Sequence, residues 1–361
     1  MTAGHEQTPY EKLTKILNTI PNGFQKTKDD IHLRVLEWIF EPEEAELACK
    51  LKLRGETLPK LSKRLKMPAD NLAILLETMH EKGQIHVWES DKGTKYGLYP
   101  FVIGIYEAQL HRMDAEFAQL FEEYCQKTRG NTLFTSKPPI QRVIPINRVI
   151  KTDLIIRPYN QAEELLKNAK SWSIRECICR VQQKLIGNSC SYPTSVCISF
   201  SSRENAYKDS LRPVSLEEAI KVLREAEEAG LIHSTMNVAT EQSYICNCCT
   251  CCCGVLRGLV TYNQPNAFVK SDYVLSIDEN LCNGCGKCIK RCQFKAIEII
   301  EKKCHIDNKC VGCGVCALVC PNEALSLVPR EKSEIKKPPR GILSWMVRRA
   351  IRRRKNLLKV I

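Results

Sequence analysis

The sequence predicts an α+β chain of three folded regions: a helical N-terminal region closed by a hairpin, a cysteine-rich α+β middle region, and a C-terminal module built on one cysteine motif used twice. Three observations predict it. Helical and then strand-like periodicity runs from Asp30 to Pro100, all but Cys49 and Cys125 of the 21 cysteines crowd into residues 177–320, and one four-cysteine spacing recurs after 28 residues. With 361 residues, 43% of them apolar, the chain can bury several cores, which excludes a disordered polymer.

After an N-terminal extension (1–30), Thr57–Leu65 reads as a short helix and Lys66-Met67-Pro68 as a turn. Pro68–Lys82 reads as a longer helix with Leu72, Ile74, Leu75 and Met79 on its apolar side. Ile85–Trp88 and Lys95–Tyr99 read as strands about a turn at Asp91-Lys92-Gly93. This order resembles a winged helix-turn-helix domain, assigned with the helical stretch Gln109–Gln126 to residues 31–135. Its second helix carries no Arg and one Lys at its far end, and Asp70 and Glu77 would repel phosphates. Specific DNA binding is therefore not expected, despite Lys60, Lys63, Arg64, Lys92 and Lys95 nearby.

Residues 136–150, with Pro138, Pro139 and Pro145, read as a linker, and residues 151–265 as the α+β middle region. A helix near Gln161–Lys170 is followed by one opened by Ser215 and Glu218 as a capping box and closed by Gly230. Ten cysteines lie here: Cys177, Cys179, Cys190 and Cys197, then Cys246, Cys248, Cys249, Cys251, Cys252 and Cys253. So many thiols exceed one mononuclear site, and thiolates without nearby histidines select iron–sulfur clusters or zinc. At least one further iron–sulfur cluster is expected, with zinc and structural or redox thiols as the alternatives. His233 reads as a core or solvent histidine, and Cys49, Cys125 and Cys304 as unliganded thiols. Arg175–Phe200 together with Ile245–Gly254 resembles a region fused ahead of ferredoxin modules in proteins of anaerobic bacteria and archaea, which implies iron–sulfur binding.

Residues 270–329 hold the doubled motif. Cys282, Cys285, Cys288 and Cys292 have the spacing C-x2-C-x2-C-x3-C, and Cys310, Cys313, Cys316 and Cys320 repeat it. A tight loop can offer three thiolates to three corners of a cuboidal cluster, with glycines letting backbone amides turn toward the sulfides. Zinc needs four ligands, fewer than this doubled spacing provides. The motif resembles bacterial-type 2[4Fe-4S] ferredoxins, whose fourth cysteine ligates the other cluster. The resemblance implies two [4Fe-4S] clusters, one on Cys282, Cys285, Cys288 and Cys320, the other on Cys310, Cys313, Cys316 and Cys292. Gln293 stands where most relatives have proline, which implies an altered potential or stability.

The net charge of +13 belongs largely to residues 330–361, where twelve Lys/Arg face two Glu. In that tail Leu343, Val347, Ala350, Leu357 and Ile361 fall near one helical face, as a helix docking on an acidic protein or an anionic membrane surface would arrange them. No apolar run is long enough for a signal segment or a span, so a reducing cytoplasm is expected, with peripheral attachment at the inner membrane surface as the tail's alternative. Neither a G-x-G-x-x-G fingerprint nor a Walker lysine motif occurs, and no catalytic residue is singled out. The expected function is ferredoxin-type electron transfer to or from a partner oxidoreductase in anaerobic metabolism. The competing reading is an iron–sulfur redox-sensing winged-helix transcription regulator.

Overall fold

The computed structural model describes residues 7–151, 153, 155–207 and 212–361. The chain divides into two units, Met1–Lys137 with Gln182–Asn188 and Met346–Ile361, and Pro138–Val181 with Ser189–Trp345.

The first unit opens with helices α1 (Pro9–Leu17), α2 (Ile31–Ile39) and α3 (Pro42–Ala48). Thr8 and Glu11 cap α1 reciprocally, and Pro9 occupies its first turn, where a missing N–H costs nothing. Strand β1 (Glu56–Thr57) leads into α4 (Leu58–Leu65), which ends on Lys66 in the left-handed conformation, and α5 (Ala69–Glu81) follows. Strands β2 (Ile85–Trp88) and β3 (Lys95–Leu98) form an antiparallel hairpin, and β1 pairs with the other edge of β3. On α5, Leu72, Leu76 and Met79 are buried, but Ile74, expected on the same side, is 69% exposed. The buried three follow i, i+4, i+7 spacing, and Ile74 stands across the helix from them. Beyond α6 (Tyr106–Ala108), α7 (Ala115–Thr128) is capped by Asp114 and followed by α8 (Asn131–Phe134). Aromatic rings fill this core, with Phe24 stacked on Tyr124 at 5.0 Å and Trp38 on Phe117 at 4.2 Å.

The second unit is organised on a seven-stranded sheet. Its strands are β4 (Gln141–Val143), β5 (Ser171–Glu176), β6 (Ser195–Ser201), β7 (Arg212–Val214), β8 (Ile232–Met236), β9 (Tyr244–Cys248) and β10 (Phe268–Val269), in the order β10-β4-β8-β9-β6-β5-β7. Only β10 and β4 run parallel. Residues 136–150, expected as a linker, thus contribute a fully buried strand. Helix α9 (Ala162–Lys167) is short, α10 (Ile178–Leu185) belongs to this unit only as far as Val181, and α11 (Leu216–Ala229) packs Ala219 and Leu223 against Ile198, Phe200 and Ile245 of the sheet. Ser215 Oγ accepts from Glu218 N, and Gly230 closes α11 at φ 89°. The short helix α12 (Gly254–Val260) follows the second cysteine group.

The C-terminal module repeats a two-stranded pattern, β11 (Tyr273–Ile277) with β14 (Leu325–Pro329) and β12 (Ile297–Ile300) with β13 (Lys303–Ile306), around α13 (Lys287–Arg291). It is fastened to the sheet. Ile146 N donates to Cys313 O at 3.0 Å and Lys151 N to Leu327 O at 2.8 Å. Buried Asp272 accepts from Arg142 at 3.0 Å, Arg157 at 3.1 Å, Tyr159 at 2.9 Å and Asn160 at 3.0 Å.

The basic tail is not a free amphipathic arm. Helix α14 (Ile342–Arg352) buries Trp345 and Ala350 while Leu343 and Val347, expected on the apolar face, stay exposed. In the second unit Trp345 Nε1 donates to Pro139 O at 2.9 Å. In the first, buried Arg349 donates to the carbonyls of Pro21, Leu133 and Ser136, and Arg353 to Asn18. Loop carbonyls supply the acceptors that these planar guanidiniums need.

Candidate metal centres

In the C-terminal module both cysteine motifs turn on glycines in the left-handed region: Gly284, Gly286, Gly312 and Gly314 have φ of 69°, 73°, 70° and 89°. At Gly312 a Cβ would lie 1.9 Å from Tyr273 O, so the backbone approach itself demands glycine. Two cavities result. One is lined by Cys310, Cys313, Cys316 and Cys292 and walled by Leu275, Val311 and Leu327. The other is lined by Cys282, Cys285, Cys288 and Cys320. Each cavity therefore draws three thiols from one motif and the fourth from the other. Cys313 and Cys316 are buried whereas Cys285 is exposed, so the second cavity lies nearer solvent. Burial pushes the Cys313 thiol up to about 12, a cost that metal ligation offsets by taking the thiolate.

Cys304, expected as a plain thiol, also lines the second cavity, 3.9 Å from Cys288 Sγ. Burial raises its pKa to about 12. Cys49 donates to Pro9 O at 3.8 Å in the first unit, where Cys125 also lies.

The middle cysteines meet at one end of the sheet. Cys190, Cys249, Cys251 and Cys252 bring their Sγ atoms within 4.8 Å of one another. The remaining six, Cys177, Cys179, Cys197, Cys246, Cys248 and Cys253, hydrogen-bond among themselves. Strand geometry explains part of this. Cys246 and Cys248 sit two apart on β9 and share a face, and the β6–β9 register sets Cys197 beside Cys246. Asn247, on the opposite face, hydrogen-bonds His233 at 2.6 Å, and His233 also meets Glu227 at 3.2 Å. His233 is thus a core histidine engaged away from the thiols.

Sequence reasoning missed Arg180. It is buried, its Nη2 donates to Asn247 O at 2.8 Å and its Nη1 to Pro193 O at 3.0 Å. Burial disfavours its charge, but Cys177, Cys249 and Cys248 outweigh that and raise its pKa. Cys249 is held down to about 5, first by the Cys252 thiol and then by Arg180 against the burial cost. The available signal was an arginine one residue beyond a Cys-x-Cys pair. Gln293 was visible only as a departure from the ferredoxin pattern. Its Oε1 accepts from Thr250 N at 2.8 Å and its Nε2 donates to Gly230 O, joining the module to the middle cysteine loop.

A donor set of thiolates on glycine-turned loops is the class of site that binds iron–sulfur clusters. A family model for 4Fe-4S binding domains matches residues 275–298 and 300–326, covering both motifs. The C-terminal module is a 4Fe-4S binding domain, and the chain is an iron–sulfur protein with a second cysteine-rich region in its middle. No curated protein matches the chain, and no solved structure matches it. Among the described residues no helix is long and apolar enough to cross a membrane.

Proposed function

We propose that the chain is an electron carrier whose C-terminal module holds two [4Fe-4S] clusters, with at least one further iron–sulfur centre on the middle cysteines. Cys282, Cys285, Cys288 and Cys320 hold one cluster in this reading, and Cys310, Cys313, Cys316 and Cys292 the other. The two cysteine-lined cavities carry it, because each offers four motif cysteines, the thiolate number a cubane takes, with Cys304 as a fifth thiol in the outer one. Bound there, each cluster supplies a one-electron couple. Leu275, Val311 and Leu327 keep water from the inner site, and the left-handed glycines let its loop turn tightly around it. Electrons pass through the outer site, where Cys285 is exposed beside exposed Lys287 and Lys290. Those lysines favour a redox partner with an acidic docking face. The chain then has no substrate of its own and serves a separate oxidoreductase.

An anaerobic redox titration followed by electron paramagnetic resonance tests this reading. Two one-electron transitions are expected in the module, one removed by Cys285→Ser and the other by Cys313→Ser. A fully metallated chain without a reversible one-electron couple would contradict it.

The order α4, α5, hairpin supports a winged-helix reading of the first unit and keeps the redox-sensing regulator as a second reading. Against specific DNA recognition, the exposed face of α5 offers Asp70, Asn71, Ile74 and Glu77, with a single amide reader among them. Selection from a random duplex library with oxidised and reduced protein should enrich no sequence. A footprint that changes with redox state would favour the regulator.

A further inference from the structure

The ten middle cysteines form two groups that do not share thiol partners. Cys177 hydrogen-bonds Cys179 and Cys197, Cys179 reaches Cys253, Cys253 reaches Cys248, Cys248 reaches Cys246, and Cys246 returns to Cys197. The six close a ring in which each thiol's two thiol partners are ring members. In the other group Cys249 pairs with Cys252 and Cys251, and Cys252 Sγ lies 3.5 Å from Cys190 Sγ and 3.7 Å from Cys251 Sγ. The neighbours Cys248 and Cys249 part between ring and tetrad, as do Cys253 and Cys252, whereas Cys251 and Cys252 both join the tetrad.

The tetrad has the dimensions of one tetrahedral ion. A Zn–S bond of about 2.3 Å sets thiolate edges near 3.8 Å in a regular tetrahedron. The ring cannot be read that way, since one tetrahedral ion is saturated by four thiolates and leaves two buried ligands unused.

None of the ring's cysteines is exposed, and two guanidiniums act on them: Arg180 on Cys177 and Cys248, and Arg175 on Cys197. A metal-bound cysteine is a thiolate, so these cations offset part of the negative charge that ligation leaves in the ring. Neutral donors complete the surroundings, with Ser234 Oγ 3.7 Å from Cys248 Sγ and Gln141 Nε2 3.9 Å from Cys246 Sγ.

We propose that Cys177, Cys179, Cys197, Cys246, Cys248 and Cys253 form a polynuclear soft-metal centre of at least two metal ions, separate from the four-thiol site, with Arg180 between the two. The ions are bridged by inorganic sulfide if they are iron, or by shared ring thiolates if they are zinc. This inference does not rest on the electron-transfer reading, because a redox-silent C-terminal module would leave the ring's metal count unchanged.

The test uses the full chain purified anaerobically, with metal and acid-labile sulfide counted per chain. Cys179→Ser with Cys246→Ser should remove at least two metal ions, and Cys190→Ser with Cys251→Ser should remove a different set. The fourfold variant should lose the sum. Sulfide lost with the ring's ions identifies an iron–sulfide core, and zinc lost without sulfide identifies thiolate-bridged zinc. Loss of one ion or none from the ring pair, or removal of the same ions by both pairs, overturns the proposal. Retained paramagnetic signals of the C-terminal module report that a variant is folded. Should the ring variants lose those signals too, anomalous diffraction from the unaltered protein decides: two or more metal peaks inside the ring support the centre, and one peak or none overturns it.

Discussion

Gly312 and His86 show how much a single backbone angle or ring environment carries. Gly312 combines φ of 70° with a Cβ position that Tyr273 O already occupies. Gly312→Ala should therefore destabilise the second unit by more than the roughly 1–3 kcal/mol of backbone strain alone. Iron analysis should show loss of the cluster on the inner cavity while the outer one survives. His86 is stacked between Trp88 at 4.4 Å and Tyr99 at 4.6 Å. Burial, with a smaller contribution from His80, lowers its pKa to about 4. Between that value and 6.5 the unfolded chain binds the proton and the folded chain does not, so stability rises with pH. Acidification across this window should cost the first unit about 3 kcal/mol, measured by denaturant melts at several pH values, and His86→Phe should flatten the dependence. The motif cysteines were legible because their spacing is local in sequence. Arg180 and Gln293 were not, because each acts on residues roughly 40 to 70 positions away that only the fold brings near.

At the scale of elements, α4, α5 and α11 were legible from caps, turns and period, all local signals. Strand β4 was not. It is three residues long and buried on every residue, so no alternation marks it, and its flanking prolines read as a loop. The tail's helix was legible as a helix but its buried side was not, since Arg349 is buried on backbone carbonyls that no pattern in the tail announces. The junction of β4 with the C-terminal module centres on Asp272, which compensates fully buried Arg142. Asp272→Ala strands that guanidinium and should cost about 3–5 kcal/mol in anaerobic chemical denaturation of the second unit. A loss below about 1 kcal/mol would mean that Arg142 finds another acceptor.

Across the whole molecule, the doubled motif and the middle cysteines fall in one unit, and the first unit holds only Cys49 and Cys125 of the 21 cysteines. Sequence composition located that asymmetry, but the division of the middle thiols into a ring and a tetrad depends on how the fold brings residues 177–197 to residues 246–253, and was not legible. The central claim is that the C-terminal module carries two clusters, each bound by three cysteines of one motif and one of the other. Iron and acid-labile sulfide counted on Cys292→Ala measure it most directly. This change should empty the inner site of Cys310, Cys313 and Cys316, lowering the count by about four irons and four sulfides and leaving the spectrum of the outer site intact. Loss of the Cys282, Cys285 and Cys288 cluster instead, with the inner one retained, would contradict it.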